Sequence, residues 1–181
     1  AVGAASDATT NAVTLTVQRT FSITAQPSNA TANEGATGQF SVTTTASSGT
    51  VTYQWERSDD AGANYASVGA TGQAATFTTP TLVFANDNAD RYRVVASLVG
   101  AAASITSTHG ELTVLRVISI SAQPTSTAVI EGQTGTFNIT AAITSDVISY
   151  QWQISTNSGG AWNNINGANA ASYTTPATVY P

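Results

Sequence analysis

Tyr53-Gln54-Trp55 returns as Tyr150-Gln151-Trp152, 97 positions later (150 − 53). A repeat of this kind constrains the fold more than any other feature, because the same apolar spacing must find the same burial twice. The same offset aligns Ile23-Thr24-Ala25-Gln26-Pro27 with Ile120-Ser121-Ala122-Gln123-Pro124, and Glu34-Gly35 with Glu131-Gly132. Phe40-Ser41-Val42 aligns with Phe137-Asn138-Ile139. After a one-residue deletion, Phe77-Thr78-Thr79-Pro80 aligns with Tyr173-Thr174-Thr175-Pro176. The register also reaches backwards: Val2-Gly3-Ala4-Ala5 matches Val99-Gly100-Ala101-Ala102, and Leu15-Thr16-Val17 matches Leu112-Thr113-Val114. Residues 1–18 are therefore expected to be the C-terminal strand or strands of a preceding repeat. Residues 19–116 form one complete domain, and 117–181 the N-terminal part of a further one. With no methionine, even at position 1, the chain is expected to start after the translation start. It is also expected to continue past Pro181, as a window on a longer tandem array.

Inside the complete repeat the apolar residues alternate with a period of two, the signature of half-buried strands. Phe21 and Ile23 alternate ahead of Gln26-Pro27; Gln39–Thr44 turns Phe40 and Val42 inward; Val51–Glu56 carries Tyr53 and Trp55 on one face. Asp59–Asn64 reads as a turn. Ala75–Thr79 is a strand ended by Pro80, and Tyr92–Ser97 and Glu111–Leu115 close the unit. Thr, Ser, Ala, Val and Gly dominate and charged residues make up 8% of the chain, which favours strands over helices. About seven short strands in a unit of this size predict an all-β, two-sheet Greek-key sandwich. Cysteine is absent, so no disulfide braces it.

Val42, Trp55 and Val94 stand where an immunoglobulin-type domain carries its first cysteine, its buried tryptophan and its second cysteine. Tyr92, two residues before Val94, resembles the tyrosine at the corner ahead of the sixth strand. Ile139 and Trp152 repeat the pattern. More narrowly, Tyr-Gln-Trp followed by Ser-Asp-Asp-Ala-Gly and then Asp-Arg-Tyr-Arg-Val resembles the tandem Ig-like repeats of bacterial surface adhesins and of bacteriophage virion fibres and appendages. The resemblance implies a structural core of Val42, Trp55, Tyr92, Val94, Ile139 and Trp152.

Composition narrows the function. Ten acids against five arginines and no lysine give a net charge of −5, which repels nucleic acid and anionic lipid. No apolar run approaches the ~18 residues of a membrane span, so membrane insertion is not expected. His109 is the only histidine, and its counterpart one repeat earlier is Ala12, so it anchors no recurring triad. Glu34 and Glu131 precede glycines, as turn residues do. No Gly-rich phosphate loop or zinc spacing occurs. The chain is read as no enzyme, with no cofactor; calcium enters only through Asp87 and Asp90, in an oxygen-rich loop that lacks the spacing of a calcium site. Asx turns account for the same residues. Tyr65 and its counterpart Trp162 follow a turn and are the candidate ligand surface.

The expected role is a non-enzymatic structural spacer and adhesion module, outside the cell, in a phage virion appendage or fibre. A bacterial cell-surface adhesin and a carbohydrate-binding module are the alternatives. The expected partners are other structural proteins or copies of the chain itself, and host-surface glycans or proteins. The last strand of one repeat runs almost directly into the first of the next, at Leu112–Val114 and Ile118–Ile120, without a Gly/Ser tether. A short apolar-flanked join predicts a semi-rigid array.

Overall fold

The computed structural model describes Gly3 and residues 10–179. The Val2-Gly3-Ala4-Ala5 match therefore lies, apart from Gly3, outside the described residues. Residues 10–18 carry no strand, and Val13, Leu15 and Val17 are exposed.

The strands of the complete repeat are β1 (Phe21–Ala25), β2 (Ala30–Asn33), β3 (Gln39–Ser41), β4 (Thr43–Ala46), β5 (Val51–Ser58), β6 (Ala66–Ser67), β7 (Thr76–Thr78), β8 (Arg91–Leu98), β9 (Ile105–Thr106) and β10 (Gly110–Leu115). A single helical turn, α1 (Phe84–Asp87), precedes β8. The large sheet has the order β2-β10-β8-β5-β6, with β9 added to β8, while β1 pairs β4 and β3 pairs β7. The chain thus has an all-β immunoglobulin-like fold without a disulfide. The strand expected over Gln39–Thr44 is divided at Val42, because β3 bonds to β7 and β4 bonds to β1. Val42 is buried at this switch, its N–H donating to the Ala75 carbonyl at 3.0 Å.

Two compact units are distinguished: Ala1–Ser28, Phe40–Phe77 and Arg91–Gly110 form the first; Asn29–Gln39, Thr78–Asp90 and Glu111–Pro181 the second. In the first, β5 and β8 pair antiparallel over eight residues, Val51 opposite Leu98 through Ser58 opposite Arg91. Alternation along β8 buries Tyr92, Val94, Ala96 and Leu98. Trp55 is fully buried, and its ring lies 6.3 Å from Phe40 and 6.1 Å from Phe77. Tyr92 completes the cluster at 4.7 Å from Phe40 and 5.5 Å from Phe77. The indole N–H, which has no water to turn to, donates to the Ala74 carbonyl at 2.9 Å.

In the second unit β10 runs parallel to β2, and Leu112 and Val114 are buried. Ala30-Thr31-Ala32-Asn33 has no large apolar residue to announce a strand; it is one because β10 supplies the ladder. The same unit holds β11 (Ile118–Ala122), β12 (Thr136–Asn138), β13 (Thr140–Ile143), β14 (Gln153–Ile154), β15 (Asn163–Asn164) and β16 (Ser172–Thr174). The pairs β11-β13, β12-β16 and β14-β15 reproduce β1-β4, β3-β7 and β5-β6. Even the irregularity recurs, between Ile23 and Ala25 in β1 and between Ile120 and Ala122 in β11.

Candidate functional site

The positions equivalent to the closed core of β5 and β8 form an open face in the later repeat. Phe137 lies 6.4 Å from Trp152, and Tyr173 lies 6.0 Å from it, close to the spacing of Phe40, Trp55 and Phe77. Trp152 Nε1 donates to the Ala170 carbonyl at 2.9 Å, and Ile139 N–H to the Ala171 carbonyl at 3.0 Å, as Trp55 and Val42 do to Ala74 and Ala75. The half-core is therefore organised. Ile139 and Trp152, expected in the core, are only half-buried, because no described residue takes the place of Tyr92 and Val94. A groove of about 970 Å³ results, lined chiefly by Pro124, Phe137, Trp152, Ile154, Trp162 and Tyr173. Trp162 is 60% exposed at its wall.

Tyr65, the counterpart of Trp162, is half-buried, and the Arg93 guanidinium sits 3.8 Å above its ring. Arg93 Nε also donates to Glu56 Oε2 at 2.8 Å. The two aromatic candidates thus have different surroundings: the ring of Tyr65 is covered by a cation, that of Trp162 borders the groove. The turn before each is built alike. Ser58 Oγ donates to Asp60 Oδ1 at 2.7 Å and receives the Gly62 N–H at 2.8 Å; Ser155, Asn157 and Gly159 repeat this at 2.9 and 2.8 Å. Gly62 and Gly159 have φ of 91° and 88°, a left-handed conformation that a side chain would strain. The Ser58 hydroxyl, with the Asn64 main chain and amide, lowers the Asp60 carboxyl to about 2.

Of the two calcium candidates, the side chain of Asp87 serves the backbone. Asp87 Oδ2 accepts the Val83 N–H at 2.7 Å, closing α1. Asp90 is buried, and its main-chain carbonyl accepts the Leu112 N–H at 2.8 Å. Asn88 Oδ1 holds the Val114 N–H at 2.9 Å. Among the described residues no three His, Cys, Asp or Glu side chains gather where a metal ion could be held. His109 is exposed in the irregular segment between β9 and β10. No described helix is long and apolar enough to cross a membrane.

A second cluster, which sequence reasoning did not single out, lies at the join between β10 and β11, wholly within the second unit. The Arg116 guanidinium is 3.7 Å above the Phe84 ring and donates to Asp146 Oδ2 at 2.7 Å. Glu34 Oε1 accepts the Phe84 N–H at 3.1 Å, and Oε2 accepts hydroxyls from Ser145, at 3.0 Å, and Thr144. The Thr144 hydroxyl is the largest cause holding the Glu34 carboxyl below its ordinary value. The one available signal was the repeat itself, since Arg19 and Glu131 occupy the positions equivalent to Arg116 and Glu34.

No protein-family model matches the sequence, and no curated protein matches it. Among solved structures, titin domains Z1Z2 in complex with telethonin are similar at 18% identity and a TM-score of 0.45, over 93% of this chain and 85% of that one. The Sidekick-1 immunoglobulin domains 1–4 are similar at 17% identity and a TM-score of 0.46, over 72% of this chain and 34% of that one. The N-terminal four Ig domains of Dscam1 isoform 6.9 are similar at 10% identity and a TM-score of 0.47, over 93% of this chain and 41% of that one.

Proposed function

We propose that the chain is a non-enzymatic structural spacer built from tandem immunoglobulin-like repeats, with 1–18 ending one repeat, 19–116 forming a complete one and 117–181 beginning the next. The observation that carries this is the join. Only Arg116 and Val117 separate β10 from β11, and Arg116 is held by an aromatic face on one side and a carboxylate on the other. Each contact is modest, about 0.5–1 kcal/mol for an exposed cation–π pair and up to ~1 for a surface ion pair. Their value is in direction: they act on a two-residue linker with little freedom to bend. Recurrence of Arg19 and Glu131 one repeat away supports a series of such joins.

In this reading the array works outside the cell, in a phage virion appendage or fibre, and associates with other structural proteins or copies of itself. The Tyr-Gln-Trp and Asp-Arg-Tyr-Arg-Val runs support that setting through their resemblance to repeats of this kind. A bacterial cell-surface adhesin shares the same motifs; a fixed stoichiometry in purified virus particles would separate the two. The carbohydrate-binding alternative rests on Trp162, the exposed member of the aromatic pair, and glycan-array binding abolished by Trp162→Ala would favour it.

Solution scattering tests the spacer. The unmodified chain should fit a narrow range of interdomain geometries, and Glu34→Ala with Arg116→Ala should widen it. Because the Glu34 carboxyl is held below its ordinary 4.5, its contribution is present above that value and fades as pH falls through the lowered one. Acid should therefore loosen the join as the double substitution does. A wide range already present in the unmodified chain at neutral pH would overturn the reading.

A further inference from the structure

The chain has five arginines and no lysine, so an enzyme that cuts after a basic residue has five places to cut. The fold sorts these into two kinds. Arg57 lies in β5, opposite Tyr92 of β8 on one side and Ala66 of β6 on the other. Arg91 and Arg93 lie in β8, opposite Ser58 and Glu56 of β5, and β10 covers the other edge of that strand. Their side chains are engaged as well: Arg91 Nη1 donates to the Ala61 carbonyl, and Arg93 Nε to Glu56. Arg19 and Arg116 belong to no strand. Arg116 is exposed in the two-residue link between β10 and β11. Arg19, its equivalent one repeat earlier, is exposed just before β1 and makes an isolated bridge to Ala101.

We propose that the Arg19–Thr20 and Arg116–Val117 peptide bonds are where an arginine-directed serine endopeptidase cuts this chain, so that the enzyme parts one repeat from the next and spares the repeats themselves. Such an enzyme takes the arginine side chain into a carboxylate-bearing pocket, and it acts on backbone that is free or has opened. Opening at Arg57, Arg91 or Arg93 means breaking the middle of the large sheet, where Trp55, Tyr92 and Val94 are buried. Opening at Arg116 frays only the ends of β10 and β11 around a link that is in neither. The Arg116 side chain is itself the guard. Its guanidinium must leave the Phe84 ring, 3.7 Å away, and Asp146 Oδ2, 2.7 Å away, before it can enter the pocket. The step is plain hydrolysis: water gives its hydroxyl to the Arg116 carbonyl carbon and a proton to the Val117 nitrogen. The site rests on where the arginines lie and holds whether or not the array is a spacer.

Limited digestion of the full chain with trypsin at neutral pH, read by intact mass, tests this. The earliest cuts should fall after Arg19 and Arg116, and a fragment of residues 20–116 should accumulate. Residues 1–18 and 117–181 contain no arginine, so any further cut must come from within that fragment. In urea all five bonds should be cut at similar rates, and folding should slow the cuts at Arg57, Arg91 and Arg93 roughly a hundredfold more than the cut at Arg116. Arg116→Gln should leave residues 20–181 as the fragment. Asp146→Ala should quicken the cut at Arg116 about threefold to fivefold, the worth of one surface ion pair, and leave the cut at Arg19 unchanged. First cuts at Arg57, Arg91 or Arg93 in the folded chain would overturn the proposal. So would an Arg116–Val117 bond that stays whole while the unfolded chain is digested, and a cut there that Asp146→Ala leaves unchanged would overturn the role of the guard.

Discussion

The same strand is eight residues long in one repeat and two in the other. Val51–Ser58 and Ile148–Ser155 correspond residue for residue, with Tyr-Gln-Trp at the centre of each, yet only Gln153 and Ile154 are strand in the later copy. The difference is the neighbour. β8 bonds along the whole of β5, whereas β15 reaches only the end of its counterpart. The same holds at the other margin: Ala30–Asn33 is a strand beside β10, and Thr127–Ile130, its equivalent, is not. Thr127–Ile130, with Val129 and Ile130, has the higher strand propensity of the two and is still not a strand, so the ladder is decided by what lies across from it. The pairs β11-β13 and β12-β16 and the hydrogen bond from the indole recur in the later repeat.

The largest expected contrast is in burial. Trp55→Ala removes a ring with no exposed surface and should cost about 3–5 kcal/mol in denaturant unfolding. Trp152→Ala removes a half-buried one and should cost about 1–2 kcal/mol. Equal costs would break the comparison. Next comes backbone protection. Amides of Thr52–Gln54 should exchange roughly a hundredfold more slowly than those of Ser149–Gln151, read residue by residue, because β8 shields only the first set. The smallest effect sharpens the comparison at the turn, where Asp60 in one repeat does the work of Asn157 in the other. With its carboxyl at about 2 instead of 3.8, Asp60 contributes stability above the ordinary value, and this is lost as pH falls through about 2. Asp60→Asn should flatten stability in that acid window and leave neutral stability nearly unchanged. Asn157→Asp should install the same acid sensitivity in the later repeat.

Much of this architecture was legible in the residues. Period-two alternation located β1, β5, β8 and β10 to within two residues, because each presents large apolar side chains to one face. Gly110 shows a constraint that alternation could not reveal: a side chain there would meet the Ser28 carbonyl at 2.4 Å, so only glycine fits at the start of β10. β2 was not legible, since Ala and Thr carry no burial signal of their own. The Phe84–Arg116 contact was equally silent, for a cation and a ring far apart in sequence do not announce that they stack. Tyr65 and Trp162 looked equivalent until folding placed Arg93 over one and left the other beside a groove.

By itself the sequence determined the repeat, the strand periodicity and which aromatic residues gather, because these follow from side-chain pattern and its need for burial. Only the tertiary structure decided how Trp55 is sealed, since Tyr92 and Val94 approach it on a strand from elsewhere in the chain.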